Sequence, residues 1–272
     1  MVSLSSKLLS FGMVNGLKNK EGEHKINQLK FTIGFNGLIP FKAKIFTEQK
    51  DLSEDLPLYQ TIVEHKYDEK SIAVFDRGLK SRKKIAEIDS NKKLFVTRIN
   101  PTKNYKTIEV LNDTPFEIEG LIVEKELKVY LYDGKKNIVK TPLRLIITKQ
   151  KENNQPILFV TNITDLNSEE ICEVYKKRWD IEVFFRFLKQ ELNLKHLVSR
   201  TENGIKVMLY MTLITAILLL VYKELNNIKG YKMAKREFVS EIDDEILKII
   251  IIACNGDPDK LSKIEYFKGF GQ

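Results

Sequence analysis

Cysteine is almost missing from this chain: 272 residues hold two, Cys172 and Cys254, too few for a disulfide framework. Histidine is nearly as rare, and His24, His65 and His196 are scattered with no zinc-ligand spacing and no cysteine set beside them. Each of the five is expected to be solvated or packed rather than catalytic. Glycine (13) and proline (7) are scarce, and no repeat or low-complexity tract appears, which excludes fibrous and disordered architectures. No G-x-x-x-x-G-K loop and no G-x-G-x-x-G fingerprint is present, so nucleotide-driven chemistry has no support. No charged-then-apolar leader opens at Met1, and a reduced, cytoplasmic setting is expected. Without a Ser/Gly linker, a length near that of one to two average domains reads as one domain over residues 1–255 with a C-terminal segment at 256–272.

Basic residues, in contrast, are in excess, giving a net charge of +8. Residues 1–50 carry eight Lys against three Glu, and residues 176–200 carry seven basic against three acidic side chains. Two basic blocks rather than a tail favour a polyanionic partner. The longest uncharged run, residues 207–222, is short of the roughly 20 apolar residues that a bilayer demands and contains Thr212, Thr215 and two Tyr. A helix buried on both sides is expected there, with Tyr210 in the core and no membrane partner.

Residues 28–35 and 38–46 alternate apolar and polar side chains around Asn36-Gly37, the pattern of a hairpin closed by a type I′ turn. Helical spacing follows over 53–65. Residues 71–76 are a short apolar run ending in Asp76, then Arg77-Gly78 and helical spacing over 79–88: a strand, a turn and a helix. Strands are expected at 94–98, 107–111, 117–132, 143–148 and 157–161, with 99–155 as a β insertion between an αβ half and a helical half. Asn167 and Glu170 form a capping box opening one long helix to Leu192, with Val174, Ile181, Phe185, Leu188 and Leu192 facing the core. Residues 238–252 read as a closing helix.

On the long helix Tyr175, Arg178, Glu182 and Lys189 fall at offsets of 0, 3, 7 and 14. At about 100° per residue they share one narrow stripe, with Arg186 beside it. A glutamate flanked by cations at i−4 and i+4 reads either as a surface lattice of ion pairs or as an acidic metal ligand in a phosphate-gripping face. Asp76 ends a strand, where α/β sheets bind ligands, and reads equally as a turn residue. Trp179 could stack on a displaced base or simply pack.

Phe75-Asp76-Arg77-Gly78, the downstream Phe95-Val96-Thr97-Arg98, and Tyr175-x2-Arg178-x3-Glu182-x6-Lys189 resemble the DDE-type insertion-sequence transposases of the Y-R-E-K signature group. Thr161-Asn162, Arg178-Trp179 and Phe184-Phe185-Arg186 add to the likeness, which covers residues 1–225. The resemblance implies an α/β, RNase H-like mixed sheet flanked by helices, in which three carboxylates hold two Mg²⁺ or Mn²⁺ ions. Asp76 would be the second carboxylate and Glu182 the third. Tyr175, Arg178 and Lys189 would contact double-stranded DNA near the cut end, with Arg186 and Trp179 beside them, in a dimeric complex on a bacterial chromosome.

The family's first Asp has no evident counterpart. No Asp precedes Asp51, both Asp51 and Asp55 lie beyond the hairpin, and Glu21, Glu23 and Glu48 have no apolar strand before them. Met1-Val-Ser-Leu-Ser-Ser resembles the segment that follows that Asp. The expectation is therefore a chain lacking the first strand, with strand edges left unpaired and no transposition on its own.

Overall fold

β2 (Asn27–Phe35) and β3 (Pro40–Phe46) pair antiparallel, and β1 (Val2–Leu4) lies along the other side of β2, Val2 opposite Leu29. The computed structural model describes residues 2–4, 27–46, 55–64, 71–102, 104–134, 137–194, 199 and 201–263. His24, His65, His196, Glu21, Glu23, Glu48 and Asp51 lie outside them, as do residues 264–272. The hairpin loop has four residues, not the expected two, because Phe35 pairs with Pro40. Asn36 closes it with its side chain: Oδ1 accepts from the N–H groups of Leu38 (3.0 Å) and Ile39 (2.8 Å), and Gly37 supplies φ = +95°. α1 (Asp55–Val63) packs on β2, and Thr61 Oγ1 meets Thr32 Oγ1 at 2.6 Å.

A second sheet begins with β4 (Ile72–Phe75), crosses through α2 (Arg82–Ser90) and returns in parallel as β5 (Leu94–Ile99). β6 (Tyr105–Asn112), β7 (Phe116–Ile118), β8 (Leu121–Asp133), β9 (Asn137–Gln150) and β10 (Pro156–Thr161) complete it. Its order is β4-β5-β10-β9-β8-β6, with β7 on β8, and all pairs but β4/β5 are antiparallel. The stretch read as an insertion thus continues the sheet that carries Asp76. Gly120 at φ = +73° breaks the expected 117–132 strand into β7 and β8.

Alternation assigns the two faces. Phe95, Leu145 and Leu158 pack with Ile85 and Ile88 of α2, while their neighbours Val96, Ile146 and Phe159 face the opposite layer. Burial on both sides explains why these strands read as nearly continuous apolar runs.

That opposite layer is α3 (Ser168–Lys176), capped by the expected Asn167–Glu170 box and buried through Ile171, Cys172 and Tyr175. α4 (Arg178–Gln190) follows, so the single helix expected over 168–192 is two. At the joint Asp180 N–H bonds Lys177 O at 3.1 Å, a three-residue bond that tightens the turn and swings α4 away. The swing moves the buried stripe: Phe184, Phe187 and Leu188 are enclosed, whereas Ile181 and Phe185 are half-buried. Phe184 stacks on Phe35 with centroids 4.7 Å apart.

α5 (Glu202–Leu225) and α6 (Tyr231–Ala253) close the chain, with a 3-10 turn at Pro258–Lys263. α5 buries one face only, through Ile205, Leu209, Leu213, Ala216, Leu219 and Leu220. Its other face exposes Val207, Met211, Ile214 and Leu218, and Tyr210, expected in the core, is exposed too. The two-sided burial expected from composition is therefore half realised, and α5 has the length and apolarity of a membrane-crossing helix. α6 likewise exposes Ile242, Ile246, Ile249, Ile250 and Ile252.

Cys172 is packed, as expected: burial pushes its thiol up to about 12, with Lys176 pulling slightly the other way. A thiol reagent at pH 8 is expected to titrate Cys254 alone in the folded protein and both cysteines in denaturant. The raised value also sets a sign. An unfolded thiol ionises near its ordinary 9.0, so stability held below that pH falls as pH rises toward 12, visible as a declining denaturation midpoint.

Candidate functional site

Parallel pairing puts the C-terminal ends of β4 and β5 on the same side of the sheet, and the register Phe75 opposite Thr97 carries Asp76 alongside Arg98. Thr97 Oγ1 donates to Phe75 O at 3.0 Å, pinning this end. Asp76 performs the turn role weighed for it, since Oδ1 accepts from Gly78 N–H at 2.9 Å, and it is also exposed on a cleft. The following loop is held from α1, where Asp55 Oδ1 accepts from the N–H groups of Lys80 and Ser81. Replacing Asp55 by Ala is expected to cost about 1 kcal/mol, as for other side-chain caps of backbone N–H groups. A denaturation midpoint equal to the parent's would contradict that role.

The cleft encloses a cavity of about 600 Å³. β2 and its loop (Phe31 to Asn36) form one wall and Ser71 to Asp76 the other, with α1 below and Arg178, Ile181, Glu182 and Phe185 of α4 above. β4 has no hydrogen-bonded neighbour on its outer side among the described residues.

Glu182 binds Arg178 through Nη1 and Oε1 across one helical turn. Arg178 in turn lies over the Tyr175 ring, 5.6 Å from its centroid, and Arg98 lies over the same ring at 5.8 Å. Tyr175 is buried with its edge against Phe159, centroids 5.2 Å apart. Burial raises the Tyr175 hydroxyl pKa, Arg178 and Arg98 oppose that, and Asp76 adds to it. Burial acts against the Arg178 charge, but Glu182, Tyr175 and Asp76 outweigh it and hold the guanidinium above its usual value. Asp76 is thus felt by both Tyr175 and Arg178, and the two carboxylates face one space.

Of the expected residues the structure brings together Asp76, Glu182, Arg178 and Tyr175. Lys189 sits two turns farther along α4, its ammonium 6.0 Å from the Phe185 ring centroid, and Arg186 and Trp179 point outward, the indole 53% exposed. None of these three lines the cleft. Arg98, at the end of the strand parallel to the one that Asp76 ends, stands over the Tyr175 ring without lining the cleft.

The donor set suits a hard divalent cation in kind. Asp76 and Glu182 each engage one carboxylate oxygen with a protein donor, which leaves the other oxygen for a metal. In number it is smaller than three, since no cluster of three or more His, Cys, Asp or Glu exists among the described residues.

The chain is similar to known transposases. The family model described as Transposase DDE domain matches residues 16–219, three quarters of the chain. The transposase named for insertion sequence element IS4SA of Synechocystis sp. is 29% identical over 153 residues, 56% of this chain and 41% of that protein. Transposase y4zB of Sinorhizobium fredii is 27% identical over 155 residues, 57% of this chain and 43% of its own length. The transposase named for element IS5377 of Geobacillus stearothermophilus is 35% identical over 86 residues, 32% of this chain and 23% of its length. The chain matches less than half the length of each of these relatives.

Proposed function

Because this chain belongs to the DDE-domain transposase family, we propose that the Asp76–Glu182 cleft is the centre of a metal-dependent reaction that cleaves and rejoins phosphodiester bonds of double-stranded DNA. The observation that carries it is the convergence of these two carboxylates, from a strand end and a separate helix, on one cleft with Arg178 between them.

Asp76 and Glu182 would hold Mg²⁺ or Mn²⁺, whose chemistry there is to acidify an attacking hydroxyl and to offset charge on the leaving oxygen. The chain's own groups do the rest. Arg178, oriented by Glu182 and the Tyr175 ring, grips a phosphate, and Arg186, Lys189 and Trp179 on the outward side of α4 bind the neighbouring DNA backbone or a displaced base. We place the protein on DNA in the bacterial cytoplasm. The exposed apolar rows of α5 and α6 would then meet a second copy in a DNA-bound dimer rather than a lipid.

A second reading is DNA binding without cutting. It is favoured by the presence of two carboxylates rather than three in the cleft among the described residues. Nicking of DNA bearing the element's ends, with and without Mn²⁺, separates the two. Metal-dependent nicks by the purified chain support the first, whereas tight binding with no nicks supports the second.

A further inference from the structure

α6 has little of its own fold holding it in place. Of its 23 residues Ala234 alone is buried, although Tyr231 stacks on Phe187 with centroids 4.6 Å apart, Phe238 meets Tyr222 at 5.2 Å and Glu241 accepts from the Tyr222 hydroxyl at 2.5 Å. Its charges run against it as well. Residues 229–236 hold four cations and no acid, and residues 237–245 hold five acids and no cation. Cations at a helix N-terminus oppose the helix dipole, and Gly230 offers no side chain to cap the free N–H groups there. Helices in proteins are held mainly by tertiary packing, which α6 has on one side only.

The outward side carries a regular row. Lys232, Arg236, Val239, Asp243, Ile246 and Ile250 fall at offsets of 0, 4, 7, 11, 14 and 18, the spacing of helices that wind on one another. At about 100° per residue they lie within about 80° of arc, roughly 140° round the helix from the side that packs. Val239, Ile246 and Ile250 are 45%, 48% and 52% exposed. Lys232, Arg236 and Asp243 are exposed too and make no ion pair among the described residues. A reversed copy complements this row. With a two-fold axis between Val239 and Ser240, Arg236 of each copy meets Asp243 of the other, the Val239 side chains meet on the axis, and the stem of Lys232 lies along Ile246. A parallel copy would set like charges together, and the acids of the row oppose DNA or an anionic lipid. We infer that two copies of this chain associate through antiparallel α6 helices, without DNA or metal. This deepens the dimer reading above and rests on it for the identity of the partner.

The test is sedimentation equilibrium of the full chain, without and with duplex DNA, beside Arg236→Asp, Asp243→Arg and the variant carrying both. The seam is about 35 Å long and about 10 Å wide, which falls short of the roughly 800 Å² per partner of a standard interface, so a reversible dimer with a Kd of about 10 μM or weaker is expected. Each single substitution sets like charges across the axis and should weaken self-association about tenfold or more. An equimolar mixture of the two single variants restores both opposite-charge contacts and should associate about as well as the parent. The double variant exchanges the charges within each copy and should do the same. Dilute, monomeric samples of all four should melt alike, since both side chains are exposed.

Recovery in the mixture identifies the antiparallel contact, because loss of fold would not be repaired by mixing. If the parent dimerises and both single variants dimerise equally well, the dimer reading stands and the α6 contact is overturned. It is overturned in the same way if the parent is monomeric at about 100 μM and dimerises on DNA alone. A parent that is monomeric with and without DNA overturns both. If Arg236→Asp weakens DNA binding and leaves self-association as it was, the cations of α6 serve DNA and the pairing of α6 helices falls.

Discussion

Glu182→Gln is expected to bind duplex DNA about as tightly as its parent and to lower by roughly a thousandfold or more whatever metal-dependent nicking the parent shows. Charge stabilisation by a bound metal is worth several kcal/mol, and each 1.36 kcal/mol is a factor of ten in rate. The substitution keeps the shape of the side chain and removes the anionic oxygen that a hard cation needs. Stability should change little, because the Arg178–Glu182 pair is partly exposed, 19% and 40%, and such pairs contribute about 1 kcal/mol or less. Asp76→Asn should behave alike, although it keeps an oxygen to accept from Gly78. A Glu182→Gln chain that nicks as well as its parent removes Glu182 from the chemistry. A chain that nicks in neither form leaves the DNA-binding reading as the better account.

The largest loss of stability is expected from Arg144→Ala. Arg144 on β9 lies only 11% exposed against Glu126 on β8, 12% exposed, with Nη2 to Oε2 at 2.8 Å. The same guanidinium donates to Leu166 O and to Ser168 Oγ at 3.3 Å, and Ser168 Oγ donates to Glu126 Oε1 at 2.5 Å. This cluster fastens the first turn of α3 to the sheet. Truncating the arginine leaves a buried carboxylate without its counter-charge, which costs about 3–5 kcal/mol. Chemical denaturation should show that loss, together with weaker DNA binding as α3 shifts Tyr175 and Arg178. A cost under about 1 kcal/mol would mean that water already reaches Glu126. Replacing both partners by apolar residues of similar volume should recover much of the loss.

Neither Arg144 nor Glu126 stands out in the sequence, and the reason is physical. Each is one more charge on an alternating strand, and only the β8–β9 register, Lys128 opposite Arg144, sets it near Glu126. Local signals are more legible. The Asn167–Glu170 box, the β4–turn–α2 unit and the strand run from Leu94 to Thr161 all rest on neighbours a few residues apart. The break at Lys177 is not legible in the sequence because no Pro or Gly marks it. Arg178 and Glu182, one turn apart within α4, kept their pairing through that break, whereas Lys189 ended away from the cleft. The one-sided burial of α5 is not legible because its composition is almost uniformly apolar, and composition does not say which half of a helix finds a partner.

The centre of the large sheet has a bearing on how the protein comes off the ribosome. β10 sits between β5 and β9, and Thr161 bonds to Phe95 across 66 residues. β5 therefore emerges long before its inner neighbour exists, and at about 5–20 residues per second the wait is roughly 3–13 s. Glu182 follows about a hundred residues after Asp76. For that interval the nascent chain carries two apolar parallel strands, β4 and β5, with open edges on both sides, the condition under which strands pair with the wrong chain. Yield of folded protein should accordingly depend on chaperone supply and growth temperature during synthesis more than on the stability of the finished fold.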